Sequence, residues 1–538
     1  MVDSSTAQMV PYHVSNKHTY EFLEELASLR IVNLNNVTLP LSRKEIFDIL
    51  QEADGSRDKL NKRQQQDLDF YKQEFVKDGE QALGLDFIGK GLKSGDVFPL
   101  KNRKKRYDLF HYKDSLFNIT VNSRFGGEGW WNTDDLYYER IVGATVFGNV
   151  GRNFSFYADL TDTQQSKQLS REDYLIQTPG GNYKGGKEYS EMRGGVAGST
   201  KWGYLALVKD HLVWGNSYNG SNIVDGQRPP SFPMIKLRIN PVKWFSFDYV
   251  HAWLVSDVLD SAATYNSGYG SREVMRSKFY AANMFTVRPV RGLHVSFGNS
   301  IVYADKFQPV YLIPFLFYKS ADHTLNSTGA NHNMRGQNSQ MFLNIVSRQI
   351  PYVQLYTSLF VDEIRLSTIF KPKESRNHLS WKAGFRFTSP GSINASLIFE
   401  YTRTNPFAYR HFVNTTTYAS NSYSMGHYLG DNAEEYHIAV IYKPISRFDV
   451  FASYTLSRKG ESYPYTIGSD GAGAPFIDSE VFRRHQINVR VTYHVAHDIR
   501  VGLNYHYVKE YGAGAYTRLP SFLATEPHRA SLSLFVGI

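Results

Sequence analysis

Residues 487–508 read INVRVTYHVAHDIRVGLNYHYV, and the alternation is strict. Ile487, Val489, Val491, Tyr493 and Val495 share one side of an extended chain; Asn488, Arg490, Thr492 and His494 share the other. After Ala496-His497-Asp498 the pattern restarts, with Ile499, Val501, Leu503, Tyr505 and Tyr507 against Arg500, Gly502, Asn504 and His506. Strand side chains repeat every two residues, so the stretch predicts a hairpin with one apolar and one polar face. Two settings need that: a sheet on a soluble core, or a barrel whose outside meets lipid.

Connection lengths favour the barrel. From 111 onward the period is two, and about 18 strands can be drawn between turn signals. Short connections at 150–153, 240–243, 288–292, 389–392, 444–447 and 496–498 carry the Pro, Gly, Asn and Asp of tight turns. Between them lie long polar connections at 162–189, 213–232, 305–340, 404–435 and 459–481. An up-and-down outer-membrane barrel has short periplasmic turns and long external loops, whereas a sandwich mixes its lengths. Mean hydropathy is −0.40, and no apolar run is long enough for a membrane helix. A barrel tolerates both, because its polar lumen face dilutes the average. Closure gives every backbone N–H and C=O a partner in lipid, and Tyr493, Tyr505 and Tyr507 suit an aromatic girdle. The last strand runs to the end of the chain, which closes on Ile538 rather than an aromatic residue. An even strand count puts both ends in the periplasm.

The N-terminal part reads differently. After a segment at 1–14, residues 15–80 predict three helices. Phe22, Leu23, Leu26 and Leu29 recur at helical spacing. Ser42-Arg43-Lys44-Glu45 is a capping box ahead of Ile46, Phe47, Ile49 and Leu50, with Gly55 past the end. Leu68, Tyr71 and Phe75 share the face of a third helix. A bundle this small is marginal alone, so it is expected to pack on something larger, on the periplasmic side. A linker at 81–110 joins it to a barrel at 111–538.

Net charge is +9, and the positive residues are spread out except at Lys101-Asn102-Arg103-Lys104-Lys105-Arg106. Nucleic acid is not an expected partner, since that would call for clustered charge and a recognisable motif. The basic run reads as a solvated linker or a contact for lipid phosphates or an acidic glycan. With no cysteine there is no disulfide frame, thiol chemistry or Cys-ligated zinc. Ser5-Thr6-Ala7 before Gln8 resembles the end of a signal-peptidase site, although no apolar leader precedes it.

Several segments together resemble the Wzi-like capsule assembly family of outer-membrane barrels. They are 209–254, with its Trp-Gly segment before a loop and hairpin, 298–318, 331–364, 400–411 and 429–444. HTYEFLEELASLRIV and LPLSRKEIFDIL near the N-terminus also fit. The resemblance implies a barrel with a small helical bundle and a role in holding or organising surface polysaccharide.

Glycan recognition uses aromatic faces for sugar C–H surfaces, with amide, carboxylate and guanidinium groups for hydroxyls and acids. The expected external loops hold such sets. They are Trp130 and Trp131 in Gly126–Asn132; Trp214, Asn216, Tyr218 and Arg228; Arg335, Gln337 and Asn338; and Tyr409, Arg410 and His411. Loop packing or girdle anchoring is the plainer role for any one of them. No catalytic function is expected. Asp134-Asp135, Asp362-Glu363 and Glu434-Glu435 are strand neighbours that point to opposite faces. No Gly-x-Ser-x-Gly is present, Gly89–Gly95 lacks phosphate-loop spacing, and His411 and His427 lack metal-ligand spacing. No cofactor or metal is called for. The leading expectation is a polysaccharide-binding barrel in outer-membrane lipid. The alternatives are an accessory subunit contacting envelope proteins through the bundle, and a porin-like channel.

Overall fold

The computed structural model describes residues 9–75, 84–87, 108–133, 135–183, 185–326, 336–364, 367, 377–465 and 473–537. The 101–106 basic run, Ser5–Gln8, Gly89–Gly95, Asp134, Arg335 and Ile538 lie outside them.

The expected barrel is present. Among the described residues, 18 antiparallel strands close on themselves. They are β1 (Phe117–Trp131), β2 (Leu136–Val150), β3 (Phe154–Gln165), β4 (Glu188–Thr200), β5 (Gly203–Asp210) and β6 (Phe232–Val242). Then come β7 (Phe245–Leu254), β8 (Lys278–Val290), β9 (Leu293–Ala304), β10 (Asn338–Ser347), β11 (Val353–Glu363) and β12 (His378–Thr388). The last six are β13 (Ala395–Thr404), β14 (Ala433–Tyr442), β15 (Phe448–Gly460), β16 (Glu480–Ala496), β17 (Ile499–Tyr511) and β18 (His528–Gly537). Closure pairs β18 with β1, from Ala530 opposite Trp131 to Gly537 opposite Arg124. The strictly alternating hairpin at 487–508 is β16–β17. Its polar face, with Asn488, Arg490 and His494, lines a cavity inside the barrel.

A barrel this wide leaves an aqueous channel unless something fills it. Helices α1 (Lys17–Ser28), α2 (Arg43–Asp54) and α3 (Lys62–Phe75) stop one mouth. Phe22, Leu23, Leu26, Ile46, Leu50, Leu68 and Phe75 are buried against one another. Ser42 and Glu45 form the reciprocal capping box, and Gly55 caps the C-terminus of α2. The mouth is the one ringed by short turns. Asn61 Nδ2 donates to Gly391 O at 2.7 Å, Ser446 Oγ to Asp67 at 2.6 Å, and Arg291 to Arg30 O at 3.3 Å.

Carboxylates of the bundle meet cations of the wall. Glu21 pairs with Arg386 at 2.6 Å, Glu24 with Arg348 at 3.3 Å, Glu25 with Lys443 at 3.0 Å, and Glu45 with Arg238 at 2.8 Å. Removing one partner of such a buried pair costs about 3–5 kcal/mol, because the other charge stays behind unpaired. The four pairs therefore fix the bundle in one register.

From the other mouth, two long connections turn inward rather than outward. Val213–Trp214 pairs with Val224–Asp225 and with Thr38–Leu39 of the N-terminal region, making a three-stranded sheet inside the barrel. Residues 405–432 pack on that loop: Tyr409 OH donates to Asn222 O at 2.6 Å and Tyr418 OH to Ile223 O at 3.0 Å. The remaining space includes a cavity of about 610 Å3 between bundle and loops.

The connection after β9 takes a third course. Residues 305–326, ending in helix α4 (Tyr318–Asn326), lie on the outside of β7, β8 and β9. Asp248 and Met284 face the lumen, so Tyr249 and Asn283 face outward. Those outward polar groups meet the strap's backbone. Tyr249 OH donates to Tyr311 O, and Asn283 Nδ2 to the carbonyls of Pro314 and Leu316, all at 2.9 Å. Tyr318 N donates to Asn299 Oδ1 at 2.8 Å. Phe315 stacks on Phe247 with centroids 4.3 Å apart, close to the short turn after β6. Leu312, Ile313, Phe315 and Phe317 remain exposed on the strap's outer surface.

Candidate functional site

The sequence-derived candidates separate into three environments. Gly126–Trp131, expected as a flexible loop, is instead the end of β1. The glycines serve the strand: a Cβ on Gly126 would stand 3.1 Å from the Phe535 ring of β18. The two indoles consequently point to opposite faces. Trp130 is half-buried with its ring 6.4 Å from His506, which lines the internal cavity, and Trp131 is exposed on the outer face.

Trp214, Tyr218, Arg228 and Tyr409 lie inside. Trp214 is fully buried in the inner sheet, 5.9 Å from the Phe342 ring. Tyr218 OH donates to Glu24 at 3.3 Å, beside Arg386. Arg228 is buried over the Tyr423 ring and donates to Tyr174 O at 2.5 Å. Burial pushes its guanidinium down to about 10, the Asp225 carboxylate notwithstanding. Tyr409 is buried, with its N–H on Asp362 at 2.9 Å. These four hold the inward loops to one another and to the bundle. Gln337 is half-buried and accepts from Ala304 N at 3.1 Å.

Arg410 alone of the described set reaches an open cluster. Its guanidinium lies over the rings of Phe407 and Tyr465 at 5.5 and 5.4 Å. It donates to Asp431 at 3.1 Å and Tyr463 O at 2.8 Å, and its side chain keeps 30% exposure. Burial works to raise the Asp431 carboxyl, but Lys459 and Arg410 hold it below the usual carboxylate range. The cluster thus presents a guanidinium and two half-buried tyrosines at the mouth opposite the bundle, with the guanidinium held from beneath by the buried, ionised Asp431. A guanidinium has five N–H donors, more than these contacts use. Such a surface can stack a sugar ring and hold a hydroxyl or an acid group.

Tyr463 and Tyr465 were missed by the sequence reading, although Tyr463-Pro464-Tyr465 stands within a connection recognised as long. Also missed was the hairpin Tyr265–Asn266/Ser271–Arg272, where Tyr269 is fully exposed and Arg272 lies 5.7 Å from the Tyr265 ring. Its signal was the Asn-Ser-Gly turn between tyrosines.

The model of the family described as capsule assembly protein Wzi matches residues 139–510. The chain belongs to that family. Its barrel is an outer-membrane barrel of the Wzi kind. Among solved structures it is similar to Wzi of Escherichia coli, an outer-membrane protein involved in group 1 capsule assembly and a carbohydrate-binding β-barrel. Identity is 12% and the TM-score 0.57, over 98% of this chain and 99% of that one. At that identity the likeness shows the fold alone. Pseudomonas aeruginosa OprD matches at 10% identity and a TM-score of 0.43, over 78% of this chain and 95% of that one, too low to support an argument. No curated protein matches significantly.

Proposed function

We propose that this Wzi-family barrel holds surface polysaccharide of the capsular kind at the mouth formed by its long connections, without catalysis. The observation that carries the reading is the Arg410–Tyr463–Tyr465 cluster, open at that mouth while the lumen behind it is filled. The similar Escherichia coli barrel, which binds carbohydrate, supports the same class of ligand. The filled lumen weighs against a porin-like channel. The short-turn mouth, where Gly537 N reaches Asp498 O at 2.8 Å, then faces the periplasm with both chain ends. Glu52, Asp58, Lys59 and Asp69 of the bundle are exposed there and could meet other envelope proteins.

The test is retention of purified protein on the host's own surface polysaccharide. Arg410→Ala and Tyr465→Ala are expected to weaken retention about tenfold each, equivalent to about 1.4 kcal/mol. Both must show the heat-modifiable gel shift of a folded barrel. Wild-type protein that is folded and not retained would sink the reading. Retention unchanged in both variants would move the site elsewhere, with Arg335 and the Tyr269 hairpin next.

A further inference from the structure

Inside the barrel, three side chains from three elements converge on the cavity between bundle and wall. His18 is near the start of α1, Asp449 is on β15, and His494 is on β16. One ligand atom from each lies within 4.8 Å of the others. His18 Nδ1 is 2.9 Å from Asp449 Oδ1, and the His18 and His494 rings meet edge to face with centroids 4.3 Å apart. His494 is 8% exposed, and its Nε2 has no hydrogen-bond partner among the described residues. A buried polar atom left unmatched costs about 1–3 kcal/mol, so it calls for an explanation.

We propose that His18, Asp449 and His494 bind a divalent transition-metal ion of the zinc class, which ties the plug to the barrel wall.

The donor set selects the ion. Two imidazoles and one carboxylate suit zinc, nickel or copper, whereas calcium and magnesium require oxygen ligands. Tetrahedral bonds of about 2.0–2.1 Å set ligand atoms roughly 3.3 Å apart. The present ligand atoms, all within 4.8 Å of one another, would have to draw together by up to about 1.5 Å. Three protein ligands leave a fourth position toward the cavity. Lys17 and Arg490 line the same cavity, and one carboxylate offsets only half of the ion's charge. The site is therefore weaker than a thiolate cage, and an ion at it is removable by chelators.

A second cluster provides the control. His13, Asp210 and His211 are also within 4.8 Å of one another. There His13 Nε2 and His211 Nδ1 are already bonded to each other at 3.0 Å, and Arg193 lies 3.6 Å from Asp210. Both imidazoles there are matched by each other, whereas the Nε2 of His494 is unmatched among the described residues.

The experiment uses folded full-length protein without a histidine tag, stripped with EDTA and dialysed against zinc or cobalt. Expected are one equivalent of zinc by elemental analysis and visible cobalt absorption from a four-coordinate site. Both are lost in His494→Gln and Asp449→Asn and kept in His211→Gln, with the heat-modifiable shift showing all variants folded. Wild type retaining no more zinc than His494→Gln overturns the proposal. So does zinc lost only in His211→Gln, which would place the ion at the other cluster.

Discussion

At the scale of single residues, two kinds of charge hold the plug, and they fail at different pH. Burial works to raise the Glu25 carboxyl, but Lys443 and Arg63 hold it well below the usual carboxylate range. A depressed carboxylate contributes stability that is full above its unfolded value of about 4.3 and is lost only as pH falls below that. The His13–His211 contact behaves otherwise. Burial first, then Arg193, lowers both rings, His211 to about 4. The unfolded chain, near 6.5, then binds the proton more tightly than the folded one. Stability is full above about 6.5 and falls as pH drops toward 4, at about 1.4 kcal/mol per unit, on the order of 3 kcal/mol in all for His211. The histidine contact therefore weakens before the ion pairs do. Thermal midpoints measured from pH 7.5 to 4.5 should fall more steeply in wild type than in His211→Gln. Parallel slopes would show that this contact does not titrate.

At the scale of elements, what could be read depended on how local the cause is. The capping box at Ser42–Glu45 and the alternation of β16–β17 depend on neighbours in sequence, and both were legible. The course of Trp214 was not, because its direction is set by pairing with Thr38, far away in the chain. The strap at 305–326 lies between these cases. Asn283 interrupts the apolar face of β8, and that face should be uniformly apolar if lipid covered it. The polar residue is there because irregular backbone at membrane depth needs partners that lipid does not supply. Replacing Asn283 with Leu would leave the Pro314 carbonyl without its donor, at about 1–3 kcal/mol, and Leu316 O with only the longer bond from Asn299 at 3.3 Å. The chain has no cysteine, so a single label can be placed at will. A nitroxide at Phe315→Cys in lipid bilayers should be relaxed by oxygen and shielded from a water-soluble nickel chelate, with Tyr269→Cys showing the reverse. Adding Asn283→Leu should open residue 315 to the chelate. Free access of the chelate to Phe315→Cys alone would place the strap in water.

At the scale of the whole molecule, the barrel is filled from both ends. The bundle enters from the short-turn mouth and the 211–231 and 405–432 loops from the other, and they meet at the Thr38–Trp214 pairing. Filling by two converging parts differs from filling by one. Neither part reaches its position alone: the inner sheet takes one strand from the N-terminal region and two from the loop. The wall cations Arg386, Arg348 and Lys443 face the bundle's carboxylates rather than a water column. A molecule built this way is expected to conduct little. In planar bilayers the full chain should show no steady ion current. Deleting residues 9–75 removes the bundle and the strand at Thr38 together, so the inward loop loses its ladder and the wall its counter-charges. That variant should conduct, with anion preference from the uncovered Arg386, Arg348 and Lys443. A steady current through the full chain, comparable to that of the deletion, would mean that bundle and loops do not seal the lumen and would return the channel reading to first place.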